Sequence, residues 1–180
     1  SPVLDLGPDP LFARQYEGFG EDPYLASEMG YEAVKGYEGE DNRISSYGRV
    51  ASCVKHFIGY GVPNSGKDRT PAFIPPETLY EYHVPPFKAA IDAGAHTVMI
   101  NSGIINNIPV HASYDMVTKL WREELGFDGM VVSDWADVNT LYRRDHSVES
   151  TKEGIMKVIN AGVDMAMEPD NLGEFCTLLE

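Results

Sequence analysis

Three groups of residues in this sequence combine types and spacings that can do chemistry. The first is Gly126-Phe127-Asp128-Gly129-Met130-Val131-Val132-Ser133-Asp134-Trp135, a helix stop and an apolar strand ending in a carboxylate beside an indole. A carboxylate in that place can attack an anomeric carbon or stabilise an oxocarbenium ion, and the indole offers a flat apolar face to a sugar ring. The same residues also read as a structural pair, with Asp134 capping the next helix and Trp135 filling the core. The second is Val54-Lys55-His56-Phe57-Ile58-Gly59-Tyr60-Gly61. Neighbouring residues on a strand point to opposite faces, so Lys55 and His56 meet one ligand only where the strand ends and twists, as Gly59 and Gly61 permit. Lys55 can donate to sugar hydroxyls or serve as a Schiff-base amine. It can equally sit in an ion pair, with His56 a satisfied core histidine. The third is the Pro-, Gly- and aromatic-rich loop Asp9 to Tyr24, whose single cation, Arg14, can grip vicinal hydroxyls or pair locally with Glu17 or Glu21.

Short apolar runs must position these groups. Val3 to Leu6, Val50 to Phe57, Thr97 to Asn101, Met130 to Ser133 and Val163 to Ala166 have the length of buried strands. Glu77 to Ala93, Tyr114 to Leu125 and Ser147 to Ala161 carry helical spacing, with Ser113 placed to cap the second and Gly126 to end it. Strands alternating with helices predict an α/β fold with a parallel sheet. The spacing fits an open doubly wound sheet or part of a (β/α)8 TIM-type barrel. A whole barrel needs about 250 residues, more than the 180 present. No GxGxxG or GxxxxGK[ST] turn follows a strand, which removes the main support for a nucleotide site. In a barrel, chemistry sits at the carboxyl ends of the strands. Those positions hold Asp5 and Asp9, then Lys55 and His56, Asn101 and Ser102, Asp134 and Trp135, and finally Glu168.

Composition sets outer bounds. With 43% apolar and 23% charged residues the chain is of ordinary globular type. A formal charge of −14, with no basic stripe, argues against nucleic acid as a partner. No run approaches the length of a membrane span, and no basic start followed by an apolar run marks a secretion signal. Cys53 and Cys176 lie far apart and suggest neither a metal site nor a disulfide framework.

Together the segments DPLFARQYEGFGEDPYLASEMG, VKHFIGYG, PPFKAAIDAGAHTVMINSG and GFDGMVVSDWADV resemble glycoside hydrolase family 3, in family order and at family spacing over nearly the whole chain. The resemblance implies a partial (β/α)8 barrel over residues 1–180, lacking its early strands, and no cofactor. It implies Asp134 as the nucleophile of a retaining exo-β-glycosidase, with Arg14, Lys55 and His56 holding ring hydroxyls and Trp135 flanking the aglycone. Ser102 and Glu168 follow as lesser substrate-binding candidates from their strand-end positions. The acid/base is implied to lie outside the chain, in a C-terminal domain of the same protein. The loop Gly61 to Arg69 lacks the Asp-x-His dyad of the N-acetylglucosaminidase branch, which favours the β-glucosidase-like branch acting on a β-glucoside or a β-glucan-derived oligosaccharide, with β-xylosidase-type specificity as the alternative. Where family members often place a tyrosine, this chain has Asn101-Ser102-Gly103. The family also implies a secreted or periplasmic setting. Two rivals stand beside it: a Lys55 Schiff-base lyase, and a carbohydrate-binding remnant that does not hydrolyse.

Overall fold

The computed structural model describes residues 1–170 and 172–180. Three parallel strands form its sheet: β1 (Cys53–Phe57), β2 (Thr97–Ile100) and β5 (Met130–Val132), in the order β1-β2-β5. Single parallel bridges extend both edges, Val3 to Lys55 on one side and Val132 to Met165 on the other. All five apolar runs therefore lie side by side in chain order, as consecutive strands of a barrel do. The two outer ones are held by few backbone bonds, Leu4 N to Lys55 O at 2.7 Å and Ser133 N to Met165 O at 2.9 Å among them.

Helical segments return the chain between strands. After β1 the chain turns through α2 (Pro76–Thr78), a π-helical stretch (Leu79–His83) and α3 (Val84–Asp92). Between β2 and β5 come a small antiparallel hairpin, β3 (Ile104–Ile105) and β4 (Ile108–Pro109), and a π-helical segment at Asp115–Glu124. Ser113 Oγ accepts from Met116 N at the start of that segment, and Gly126, at φ +80°, follows its end, as the sequence predicts. After β5 come α4 (Asp137–Arg143) and α5 (Thr151–Ala161), the latter capped by Ser150, so the helix expected from Ser147 starts four residues later. Two further helices lie outside the segments read as helical from the sequence, α1 (Pro23–Glu38) and α6 (Leu172–Leu179). α1 buries mainly small residues, Ala26, Gly30 and Val34, on its path across α3.

The sheet has two unlike faces. Val54, Val98, Ile100 and Val131 are buried under the helices, where Phe57, Phe87, Trp121 and Phe127 stack with ring centroids 4.4–6.0 Å apart. On the other face Cys53, Lys55, Thr97 and Met99 are only half-buried. That is the face a closed barrel would fill.

One buried carboxylate ties the amino ends of β1 and β2 to α1. Glu38, the last residue of α1, is fully buried and accepts from Ser52 N, Ser52 Oγ and His96 N through one oxygen, and from Asn42 Nδ2 and His96 Nδ1 through the other. Burial alone would raise its pKa, but these donors outweigh it and hold the carboxyl below its ordinary value. A depressed folded pKa contributes stability that is present above the unfolded value, near 4.5, and is lost as pH falls through the folded one. Glu38→Ala is expected to cost about 3–5 kcal/mol, because it strands several buried donors at once. Urea denaturation at neutral pH checks this, and a wild-type profile insensitive to acid below the ordinary glutamate range would contradict it.

Candidate functional site

The polar residues at the carboxyl ends of the parallel segments converge. Gly61 allows the first approach: a Cβ there would collide with the carbonyl oxygen of Leu6, so only glycine lets the end of β1 run this close to the end of the first segment. Gly59, at φ +69°, faces Ile74, and a Cβ would stand 2.5 Å from its Cδ1. The register between β1 and β2 shifts between Val54 and Phe57. Strand alternation is thus interrupted where the Lys-His pair sits, the condition the sequence set for the two to serve one site.

Asp134 follows β5 and is almost wholly buried. Its Oδ1 accepts from Trp135 N at 2.5 Å and from Arg69 Nη2 at 3.2 Å. Its Oδ2 is buried with no hydrogen-bond partner among the described residues, and His56 Nε2 lies 3.8 Å away. One oxygen is therefore clamped and the other is free. Trp135 is 53% exposed beside it within this chain.

His56 is oriented by a second carboxylate. Asp5, at the end of the first segment, accepts from His56 Nδ1 at 2.7 Å and from His56 N at 3.2 Å. Arg14 Nη2 lies 3.3 Å from His56 Nε2. A guanidinium only donates, so Nε2 accepts and the proton sits on Nδ1, directed at Asp5. Arg14 forks onto Glu17 at 2.7 and 2.9 Å and reaches Tyr60 Oη at 3.3 Å. The bond to Glu17 raises Arg14 further above its already high pKa and holds the Glu17 carboxyl below the usual range. Both readings of Arg14 therefore hold together: it pairs with Glu17 and still points into the cluster. Burial and a hydrogen bond to Asp68 raise the Tyr60 phenol, which keeps it protonated. Lys55 is half-buried on the barrel-facing side of β1, and its ammonium makes no hydrogen bond among the described residues.

Sequence reasoning misses Tyr60 and Asp137 as members of this cluster. Asp5 stands among its strand-end residues, and Arg69 is left to pair with Asp68 or to line the pocket; the loop after β1 brings it 65 residues along the chain to Asp134. Two of the lesser candidates hold neighbouring elements in place. Ser102 is fully buried, with Oγ donating to Asp137 and its carbonyl accepting from Arg144 Nη2 at 2.7 Å. Glu168 spends both oxygens on Asn139, at 3.3 Å to its backbone N and 2.6 Å to Nδ2, which anchors α4 to the last parallel segment.

A cavity of about 370 Å³ lies apart from these groups, lined by Leu6, Pro8, Glu21, Val62, Tyr82 and the buried His83. It does not touch Asp134.

Five parallel segments in chain order, with a carboxylate, a carboxylate-oriented imidazole and arginines gathered at their carboxyl ends, define part of a (β/α)8-type barrel. The sequence matches the description "Glycosyl hydrolase family 3 N terminal domain" over residues 1–178, and the chain belongs to glycosyl hydrolase family 3. It is 47% identical to the lysosomal beta glucosidase of Dictyostelium discoideum over 96% of this chain and 21% of that protein. It is 35% identical to a putative beta-xylosidase of Formosa agariphila, over 92% of this chain and 22% of that one. The crystal structure of beta-glucosidase from Listeria innocua in complex with isofagomine superimposes with a TM-score of 0.91 at 34% identity, covering all of this chain and 24% of that one. The chain thus spans about a fifth to a quarter of the length of the proteins it matches.

Proposed function

We propose that this chain supplies the nucleophile side of the sugar pocket in a longer retaining exo-β-glycosidase, most of all a β-glucosidase, with its acid/base contributed from outside residues 1–180. The observation that carries the reading is the asymmetry of Asp134: Oδ1 held by Arg69 and Trp135 N, Oδ2 buried and unpaired. A carboxylate with one fixed and one open oxygen suits attack in a single direction. In the first step Oδ2 bonds to the anomeric carbon as the bond to the leaving oxygen breaks, and that oxygen takes its proton from the acid on the other side of the sugar. In the second step water, deprotonated by the same group, displaces Asp134 and restores the anomeric configuration.

Around that centre Arg14, His56 and Lys55 bind ring hydroxyls. The two cations donate, and a hydroxyl that donates to His56 Nε2 takes the place of Arg14 there, since that nitrogen has a single lone pair. Trp135 lies against the aglycone. The rival lyase reading leaves Asp134 and Arg14 without a role. Glucose is favoured as the glycone by the relative from Dictyostelium discoideum, and its lysosomal designation supports a compartmental or secreted setting for this protein. A xylose-type preference is the second reading, supported by the relative from Formosa agariphila. The two sugars differ by one hydroxymethyl group, worth about 10- to 200-fold in kcat/KM. Comparing aryl β-glucoside with aryl β-xyloside on the full-length enzyme is expected to favour glucose by about tenfold or more, and the reverse preference would assign the xylosidase reading.

A further inference from the structure

Asp137 stands at the first turn of α4, three residues past the nucleophile, and is fully buried. Its Oδ1 accepts from Ser102 Oγ and lies 3.8 Å from Arg69 Nη1, while Oδ2 has no partner among the described residues. Arg69 is therefore shared. Nη2 donates to Asp134 Oδ1 at 3.2 Å, and Nη1 donates to the Trp135 carbonyl at 3.3 Å and faces Asp137. From the β4 side, His111 Nε2 donates to the Asp137 carbonyl at 2.9 Å; a bond to that acceptor places the imidazole proton on Nε2. Arg144, paired with Asp145, reaches Asp137 only through the Ser102 carbonyl, and Glu168 only through Asn139.

An arginine devoted to one nucleophilic carboxylate would hold its negative charge tightly and blunt its attack. A second carboxylate on the same guanidinium divides that charge. It also fixes the guanidinium plane from behind. We propose that Asp137 is a positioning residue for the nucleophile, competing with Asp134 for Arg69 so that the clamp on Oδ1 stays oriented without neutralising the attacking Oδ2. This rests on the reading of Asp134 as the nucleophile. Burial raises the Asp137 carboxyl above its ordinary value; His111, the Ser102 hydroxyl and Arg69 oppose that, and the charge of Asp134 adds to it.

The test uses the full-length enzyme. Asp137→Asn keeps the shape and an acceptor for Ser102 but removes the competing charge. The acid limb of kcat/KM, which reports ionisation of Asp134, is expected to move to lower pH by about half a unit or more. At the optimum kcat is expected to fall about tenfold with KM changed less than about twofold. Ser102→Ala frees Asp137 Oδ1 without reaching Arg69, so that carboxylate competes harder for the guanidinium and the limb is expected to move the opposite way, to higher pH; this variant serves if Asp137→Asn does not fold. In an Arg69→Gln background, Asp137→Asn is expected to change kcat by less than about twofold, because the shared partner is gone. An unmoved acid limb in both single variants, or effects that simply multiply in the double variant, overturns the proposal. Trapping with a 2-fluoro glucoside separates the two levels: a label absent from Asp134 defeats the nucleophile reading itself, whereas a label on Asp134 with an unmoved limb defeats only the role of Asp137.

Discussion

Asp134→Ala in the full-length enzyme is expected to lower kcat/KM for aryl β-glucosides by about 10⁴-fold or more, corresponding to at least about 5.5 kcal/mol of lost transition-state stabilisation. No neighbour can substitute. The nearest carboxylates are engaged elsewhere, Asp5 on His56 and Asp137 behind Arg69 with Ser102. His56 Nε2, 3.8 Å from the open oxygen, is already an acceptor for Arg14. The truncation leaves room beside the anomeric carbon, so added azide is expected to restore turnover and give the glycosyl azide of opposite anomeric configuration, as a one-step displacement requires. Because Asp134 is a buried carboxylate with an unpaired oxygen, the variant is expected to unfold within a few degrees of wild type. A variant that is inactive only because it is unfolded would fail both the azide and the melting measurements.

Asp5→Asn is expected to lower kcat/KM by about 10²-fold, although Asp5 need not touch the sugar. Its two oxygens take both the backbone N and Nδ1 of His56. An asparagine in the same place can present its amide N–H to Nδ1, and the imidazole proton then moves to Nε2. Nε2 would point a hydrogen at the N–H of Arg14, breaking the 3.3 Å contact that couples the two hydroxyl-binding groups. Second partners of this kind typically carry 10- to 100-fold effects through the residue they orient. Steady-state kinetics together with the ¹⁵N shifts of His56 distinguish a tautomer change from a collapse of the fold. A variant within about threefold of wild type would show that the imidazole tautomer does not matter to the reaction.

The five strands were legible because each is a short apolar run bounded by polar residues, and all five take part in the parallel array, two of them through a single bridge. Three helices were legible from apolar period. α1 was not, because the face it buries is built from Ala26, Gly30 and Val34, too small to stand out against its flanking tyrosines. At the site, Lys55 and His56 lie in the carboxyl half of β1 and Asp134 and Trp135 just past β5, so the barrel rule finds them. Arg69 lies in the middle of a loop between β1 and α2, where local patterning says nothing about which strand end a side chain will reach. Ser102 and Glu168 obey the same strand-end rule and are also tied to α4, Ser102 through Asp137 and Glu168 through Asn139. The rule locates the rim of a barrel and leaves the direction of each side chain to the helix that follows.

The central claim is that the open oxygen of Asp134 forms the covalent bond to the sugar. Incubating the full-length enzyme with an activated 2-fluoro glucoside, digesting it and sequencing the labelled peptide by mass spectrometry tests that claim most directly. One glycosyl group per active site on Asp134, released slowly with return of activity, is the predicted result. A label on a different carboxylate, or full activity with no adduct and a product of inverted configuration, would contradict it.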